Sequence, residues 1–269
     1  FDIPMPDVFR GKYRGKGAGK KYFIEFEKII SKAKKANKKI SAMIVEPIIS
    51  CGGQIELPEK FLKKCKKILD KENILLIVDE VQTGFGRVGE KFWGFQLHDV
   101  IPDIVTLGKP MGNGHPIGAV VCTAEISKKF DNGLEFFSSF GGNPVSCRIA
   151  NEVIREIDSK NLQKNALKTG KFLVSELKKL AKKYSIIGNV RGRGLFIGLE
   201  LVNQNLIPEM DKAIYLVNRM KELGVLMSND GLDKNVIKIK PPIIFSIDDS
   251  KRLIMLLDKV MAEDYMQLN

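Results

Sequence analysis

The chain has 269 residues, is 44% hydrophobic and carries a formal net charge of +12, which is enough apolar content for a core in one large domain or two smaller ones. No apolar run approaches the roughly 20 residues that cross a bilayer, and the opening FDIPMPDVFRGKYRGKGAGK lacks the apolar core of a signal peptide. The lysines are spread over the whole chain, as in FLKKCKKILDKEN and SELKKLAKKY, with no RNA-binding aromatic signature or basic helix-turn-helix. The charge therefore reads as solvated helix faces and not as a nucleic-acid site.

Residues 1 to about 20 are rich in Gly, Pro and Arg and read as an irregular connection. Phe23, Phe26, Ile30 and Ala33 then recur at helical spacing within Tyr22–Ala36. ISAMIVEP (Ile40–Pro47) is a short buried strand ending at Glu46. Pro58 is placed to open a helix at its first position, with Phe61, Leu62, Cys65, Ile68 and Leu69 as its apolar stripe. ILLIVDE (Ile74–Glu80) is a nearly continuous apolar strand, and Asp103–Lys109 and Ile117–Thr123 are two more strand candidates. Apolar strands alternating with helices imply a parallel sheet covered on both faces. Ligands of such sheets bind beyond the carboxyl ends of the strands, and Glu46, Asp79 and Lys109 all fall there.

The pattern changes near Pro144. One helix runs from there to Ile157, and a longer one covers Leu162–Tyr184 with Leu173, Leu177, Leu180 and Ala181 on its apolar face. GLFIGLELV is a strand, Asp211–Leu223 a helix closed by Gly224, VIKIK a strand, and Ser246–Asp249 a capping box for a final helix. The expected division is a large α/β unit over 1–157 and a smaller α+β unit over 158–269. Cys51, Cys65, Cys122 and Cys147 form no CxxC pair and read as reduced thiols of an intracellular protein. His98 and His115 show no metal-ligand spacing.

Two places invite chemistry. In VDEVQTGFGRVG, Asp79 follows five apolar residues and should inherit a partly buried position, and a buried carboxylate must be paired or protonated. In TLGKPMGNGHP, Lys109 sits between Gly and Pro after an apolar strand. It is not a P-loop lysine, since the first Gly of that motif is missing and Pro follows the lysine. A turn charge and a reactive amine made nucleophilic by desolvation both remain open on the residues alone.

IVDEVQTGFGRVG, the lysine some thirty residues later in TLGKPMGNG, and SSFGGNP (Ser138–Pro144) together resemble the signature order of class III aminotransferases. That resemblance implies the fold type I architecture of pyridoxal 5'-phosphate enzymes, a mostly parallel α/β sheet with helices on both faces and a smaller C-terminal α+β domain. It also implies a homodimer, or a dimer of dimers, with shared active sites. It makes Lys109 the covalent tether of the cofactor and sets Asp79 against the pyridinium nitrogen. It further implies that Val81 packs on the ring, that Gln82 reaches the ring's phenolic oxygen, and that Glu46 lies behind the cofactor. Ser139, where the family usually has Thr, would reach the cofactor phosphate of the neighbouring subunit. The resemblance also implies a segment upstream of Phe1 that grips the phosphate and stacks on the ring. These residues would then be part of a longer chain, and alone they would bind the cofactor weakly and fold the large unit poorly.

The chain departs from ordinary ω-aminotransferases at two linked places. Ser50 and Cys51 stand where many have Gly-Glu, and Lys238 stands where they have the arginine that takes a substrate carboxylate. Lysine lacks the planar fork of arginine, so the joint change suggests a different substrate head group. SCGGQ, GKPMGNGHP, SNDGLDKNVIKIKPP and VRGRGLFIGLEL resemble the branch of ethanolamine-phosphate and 5-phosphohydroxylysine phospho-lyases. The implied reaction eliminates phosphate from a phosphorylated amine, with Lys109 as base after it has served as tether. Lys238, Lys240 and Arg193 are the candidate cations for the phosphate. The alternatives are a transaminase that uses glyoxylate or pyruvate, and a non-catalytic basic binding protein or truncated paralogue. The expected location is the mitochondrial matrix, with the cytosol as the alternative.

Overall fold

A computed structural model describes residues 1–268. Its first sheet contains β1 (Ala42–Val45), β4 (Leu75–Asp79), β5 (Ile104–Leu107) and β6 (Ala119–Cys122), in that spatial order. The β1–β4 and β4–β5 pairs are parallel, whereas β5–β6 is antiparallel. The sheet is thus mostly parallel with an antiparallel edge strand, because the short TLGKPMGNGHP connection leaves no room for a crossover helix between β5 and β6.

Side chains alternate across β4, so Leu76 and Val78 point to one face and are fully buried. On that face lie α1 (Ala18–Lys35), through Tyr22, Phe26 and Ile30, and α2 (Phe61–Lys71), through Phe61, Leu62, Cys65 and Leu69. The helical stripes read from sequence are thereby borne out, with Tyr22 joining the buried set. Pro58 does not open α2. It lies in the preceding turn, where its carbonyl accepts from the Phe61 amide at 3.0 Å, and helix begins after Lys60, which takes a left-handed φ of 60°. A two-stranded hairpin, β2 (Ile48–Ile49) with β3 (Ile55–Glu56), follows Pro47.

The second sheet has the order β7 (Ile187–Arg193), β8 (Phe196–Leu201), β10 (Val236–Ile239) and β9 (Ser228–Asp230), all antiparallel. Helices α5 (Leu162–Lys183), α6 (Met210–Glu222) and α7 (Ile247–Met261) bury Leu173, Leu177, Leu216, Met220, Leu253 and Leu257 in one core with Ile197, Leu199 and Leu201 of β8. Gly224, at φ 82°, closes α6 in a left-handed conformation that glycine adopts without steric cost. At the start of α7 the Ser246 hydroxyl accepts from the Asp249 amide while Asp249 accepts from the Ser246 amide, which is the capping box expected from sequence. In chain order α3 (Ala124–Phe130) and α4 (Pro144–Ser159) come after β6 and before α5, the latter of the two capped by the Asn143 side chain on the amides of Val145 and Ser146. None of the helices among the described residues is long and apolar enough to cross a membrane.

Buried charge ties the second sheet to the N-terminal segment and to the β2–β3 hairpin. Glu200 on β8 is 1% exposed and is held by Arg191 of β7 and by Arg10 of the N-terminal segment. Arg191 also donates to the Gly53 carbonyl of the hairpin.

Candidate active site

Register places three strand ends side by side. Val45 pairs with Val78, and Asp79 pairs with Thr106. Because both pairs are parallel, Glu46, Asp79 and Lys109 emerge at the same edge of the sheet, where open α/β sheets bind ligands.

Lys109 has a φ of 36°, a conformation costly for a residue with a side chain. It opens a single 3-10 turn, Lys109–Met111, directly after β5. Gly108 brings this turn against the strand end next door, since a methyl group at Gly108 would lie 3.6 Å from both Val81 methyls. Lys109 lines a cleft of about 620 Å3 with Val81, Gln82, Arg87, His115 and Lys240. Lys109 itself is exposed, so its neighbours do not supply the desolvation that one of the two open readings called for.

Asp79 is half-buried, as expected, with one carboxylate oxygen accepting from the Val81 amide at 2.9 Å. It has no cationic partner among the described residues. The deeply buried acid of the pair is Glu80, which is 0% exposed. Glu80 accepts from the Gly94 amide at 2.9 Å, the Phe95 amide at 2.7 Å and the Thr83 hydroxyl at 2.7 Å. Burial pushes its carboxyl above the ordinary range despite these donors. The pleat could have separated the two roles, since Glu80 continues the inward series Leu76, Val78 and Asp79 belongs to the other face.

A directed chain of hydrogen bonds runs from the cleft wall to the end of β1. Lys240 donates to Gln82 Oε1 at 2.7 Å, Gln82 Nε2 donates to the Ser50 hydroxyl, and Ser50 donates to Glu46. Ser50 is 1% exposed, so the hairpin that carries it is fixed from both sides. Lys240 continues β10 and lies 4.3 Å over the Phe196 ring. Burial, reinforced by the charge of Lys238, lowers its ammonium to about 8.

The other expected cations behave differently. Lys238 pairs with Asp230 at 3.0 Å. Arg193 is taken up by Glu56 at 2.7 Å and Glu90 at 2.9 Å and does not line the cleft. Arg87, within GFGRVG, was not singled out by sequence because a turn arginine carries no signal of its own. It donates through Nη1 to the carbonyls of Leu195, at 3.3 Å, and Pro241, and burial lowers its guanidinium to about 10. Ser139 lies in the exposed stretch 131–143 between α3 and α4, outside the cleft.

The cleft suits pyridoxal phosphate. It offers a lysine at a strand end, a valine beside the lysine turn and an amide already oriented, and Asp79 ends the neighbouring strand with one oxygen uncommitted.

Comparison with known proteins agrees with this geometry. The class-III aminotransferase family model matches residues 2–261. The chain is 44% identical over 261 residues to the Drosophila melanogaster protein named alanine–glyoxylate aminotransferase 2-like, covering 94% of this chain and 53% of that one. It is 36% identical to ethanolamine-phosphate phospho-lyase homolog 1 of Caenorhabditis elegans, covering 96% and 59%. It is 39% identical to the mitochondrial alanine–glyoxylate aminotransferase 2 homolog 2 of Arabidopsis thaliana, covering 96% and 53%. Among solved structures, an Arthrobacter phospholyase in complex with phosphoethanolamine superposes with a TM-score of 0.92 at 34% identity, covering 98% of this chain and 63% of that one. The chain thus spans little more than half the length of the curated relatives it matches. Fold and family model together identify this chain as a member of the class III aminotransferases, pyridoxal-phosphate enzymes of fold type I.

Proposed function

We propose that the protein is a pyridoxal-phosphate-dependent phospho-lyase, which eliminates phosphate from a phosphorylated amine such as phosphoethanolamine or 5-phosphohydroxylysine. The products are phosphate, ammonia and an aldehyde, with one water consumed. The observation that carries this reading is the cleft that gathers Lys109, Val81, Gln82 and Lys240 at the edge where Asp79 ends its strand. The likeness to the phosphoethanolamine-bound phospholyase supports elimination. So does Lys238, which stands where a carboxylate-binding arginine is expected and is committed to Asp230.

When bound, pyridoxal phosphate supplies an aldehyde carbon for the amine and a ring that accepts the electron pair left by a departing proton. Lys109 Nζ would tether the cofactor and, once the substrate amine has taken its place, would take the proton from the carbon bearing that amine. Asp79 would keep a proton on the ring nitrogen. Gln82, whose Oε1 is held by Lys240 and whose Nε2 gives one hydrogen to Ser50, would offer its second amide hydrogen to the ring's phenolic oxygen. With the proton taken from one carbon by Lys109 and the phosphate oxygen leaving the next, the carbon–oxygen bond would break as a carbon–carbon double bond forms.

The test is incubation of cofactor-supplemented protein with phosphoethanolamine or 5-phosphohydroxylysine and no keto acid. Phosphate, ammonia and aldehyde should appear in equal amounts. A cofactor-loaded protein that releases phosphate from neither amine overturns the reading. Amino transfer to glyoxylate or pyruvate is the second reading, favoured by the 44% likeness to an aminotransferase 2-like protein. It predicts turnover only when the keto acid is added.

We further propose a homodimer with a mitochondrial location. Phe130, Leu134, Phe136, Phe137, Phe140 and Val145 are 63–86% exposed, a patch that a soluble monomer rarely carries. A homodimer that covers it would bring Ser139 to the partner's cofactor phosphate. Phe137→Ser should lower the mass measured by light scattering to that of a monomer. The mitochondrial matrix is supported by the name of the Arabidopsis relative, and fractionation of cells that express the protein tests it.

A further inference from the structure

Besides Lys109, four cations lie in or near the cleft, and their partners divide them. Arg193 has two carboxylates and Lys238 has one. Lys240 and Arg87 have none among the described residues. Lys240 donates to a neutral amide, and Arg87 donates to two backbone carbonyls from Nη1 alone. Both line the Lys109 cleft.

A partly buried cation without a counter-ion is costly, because desolvation is not offset by an opposite charge. Burial is the first cause of the lowered proton affinity at both groups, so the strain is in the charge itself. Each contact they do make is one that an anion would outcompete or complement: a single amide oxygen for the ammonium, and carbonyls on one edge only of the guanidinium. Arg87 extends from a buried Gly-rich turn and is anchored on the carbonyls of Leu195 and Pro241, while Lys240 immediately precedes Pro241. Both charges are therefore tied to one short backbone segment, Lys240–Pro241, at the wall of the cleft.

We propose that Arg87 and Lys240 together form the site for the phosphoryl group of the substrate, and that Lys238 and Arg193 serve structure. The inference rests on the phospho-lyase reading for the identity of the ligand. Arginine offers a planar pair of donors, lysine a point charge, and a phosphate ester has oxygens enough for both. An arriving phosphate takes Lys240 from Gln82 Oε1, so occupancy of the site is communicated to the amide that faces the cofactor.

The test uses cofactor-loaded protein, so that the cofactor's own phosphate is already seated. Inorganic phosphate and phosphoethanolamine are titrated calorimetrically into wild type, Lys240→Met, Arg87→Gln, Lys238→Met and Arg193→Gln, with the side-chain amide resonance of Gln82 followed by NMR. Lys240→Met and Arg87→Gln should each weaken binding of both ligands at least about tenfold. Lys238→Met and Arg193→Gln should stay within about twofold, and the Gln82 resonance should shift on phosphate addition in wild type but not in Lys240→Met. If Arg87→Gln does not fold, Arg87→Lys replaces it, with an intermediate loss expected.

Four results overturn the proposal: no binding to wild type at millimolar ligand, unchanged binding in both Lys240→Met and Arg87 variants, loss confined to Lys238→Met or Arg193→Gln, or phosphate that binds only by displacing the cofactor. Elimination is measured separately. Phosphate released by wild type together with unaltered binding in the Lys240 and Arg87 variants removes this assignment and leaves the phospho-lyase reading in place. Binding that depends on Arg87 and Lys240 without any elimination does the reverse.

Discussion

Lys240 Nζ donates to Gln82 Oε1 across 2.7 Å, joining the end of β10 in one sheet to the residues that follow β4 in the other. The contact sets the amide so that its nitrogen faces Ser50. It also exposes a titratable group to the site. Lys240 is lowered to about 8, from an ordinary value of 10.5. Below about pH 8 it is protonated whether folded or unfolded, and its desolvation opposes folding in full. Between about 8 and 10.5 the unfolded chain binds the extra proton, so stability rises with pH across that window. The gain should be about 1 kcal/mol for a half-buried, partly screened group. Urea denaturation of wild type and Lys240→Met at pH 7 and pH 9.5 measures it, and the rise should be smaller by that amount in the variant.

Lys109 combines an exposed side chain with a strained backbone. Lys109→Ala should reduce turnover by at least about a thousandfold and abolish the visible absorbance of the bound cofactor. Lys109→Gly should be equally inactive but more stable than Lys109→Ala by about 1 kcal/mol, because glycine adopts a φ of 36° without a clash. Thermal denaturation of the two variants without cofactor decides whether the strain is real.

Asp79 and Glu80 are neighbours with opposite expected phenotypes. Glu80→Gln places amide hydrogens among the donors of Gly94, Phe95 and Thr83 and should cost about 1–3 kcal/mol in chemical denaturation. Because the folded carboxyl of Glu80 is raised, the native state holds a proton longer than the unfolded chain does. Its contribution is largest below the ordinary carboxylate range and declines as pH rises through the raised value. Asp79→Asn should change stability by less than about 0.5 kcal/mol and remove most activity, with weaker cofactor binding in a spectroscopic titration.

Glu200 carries the buried ion cluster. Glu200→Gln leaves Arg10 and Arg191 without their shared counter-ion and should cost about 3–5 kcal/mol. Replacement of Asp233, the exposed partner of Arg10, should cost less than about 1 kcal/mol. Denaturation midpoints of the two variants compare the buried and the exposed contact directly.

Much of this was legible in the amino acids. β4 announces itself as an unbroken apolar run, and α5 shows its buried stripe at Leu173, Leu177 and Leu180. Ser246 and Asp249 cap α7 because a short polar side chain at that offset can reach the free amides. Other elements gave no signal. The β2–β3 hairpin has two residues per strand, too few for a period to appear. In β7, IGNVRGR is half glycine and arginine, and its strand character comes from pairing with β8 and from the grip of Glu56 and Glu200 on its arginines. Lys109, Asp79 and Glu46 could be placed at strand ends because strand ends are local. The commitments of Arg193, Lys240 and Arg87 could not, because each depends on a partner distant in sequence, and that of Lys238 could not because its partner is set by the β9–β10 register.

Arg10 lies before α1, yet its guanidinium is gripped inside the second sheet by Glu200. Chain order and spatial membership therefore part company at the N-terminal segment. A cut between residues 157 and 158 would not yield two self-sufficient halves: the later fragment would lose a buried counter-charge, and the earlier one would carry an arginine with nowhere to dock. Mixing the separately made fragments should restore structure only when residues 1–17 are retained on the first. Deletion of that short arm should harm the sheet farthest from it in sequence.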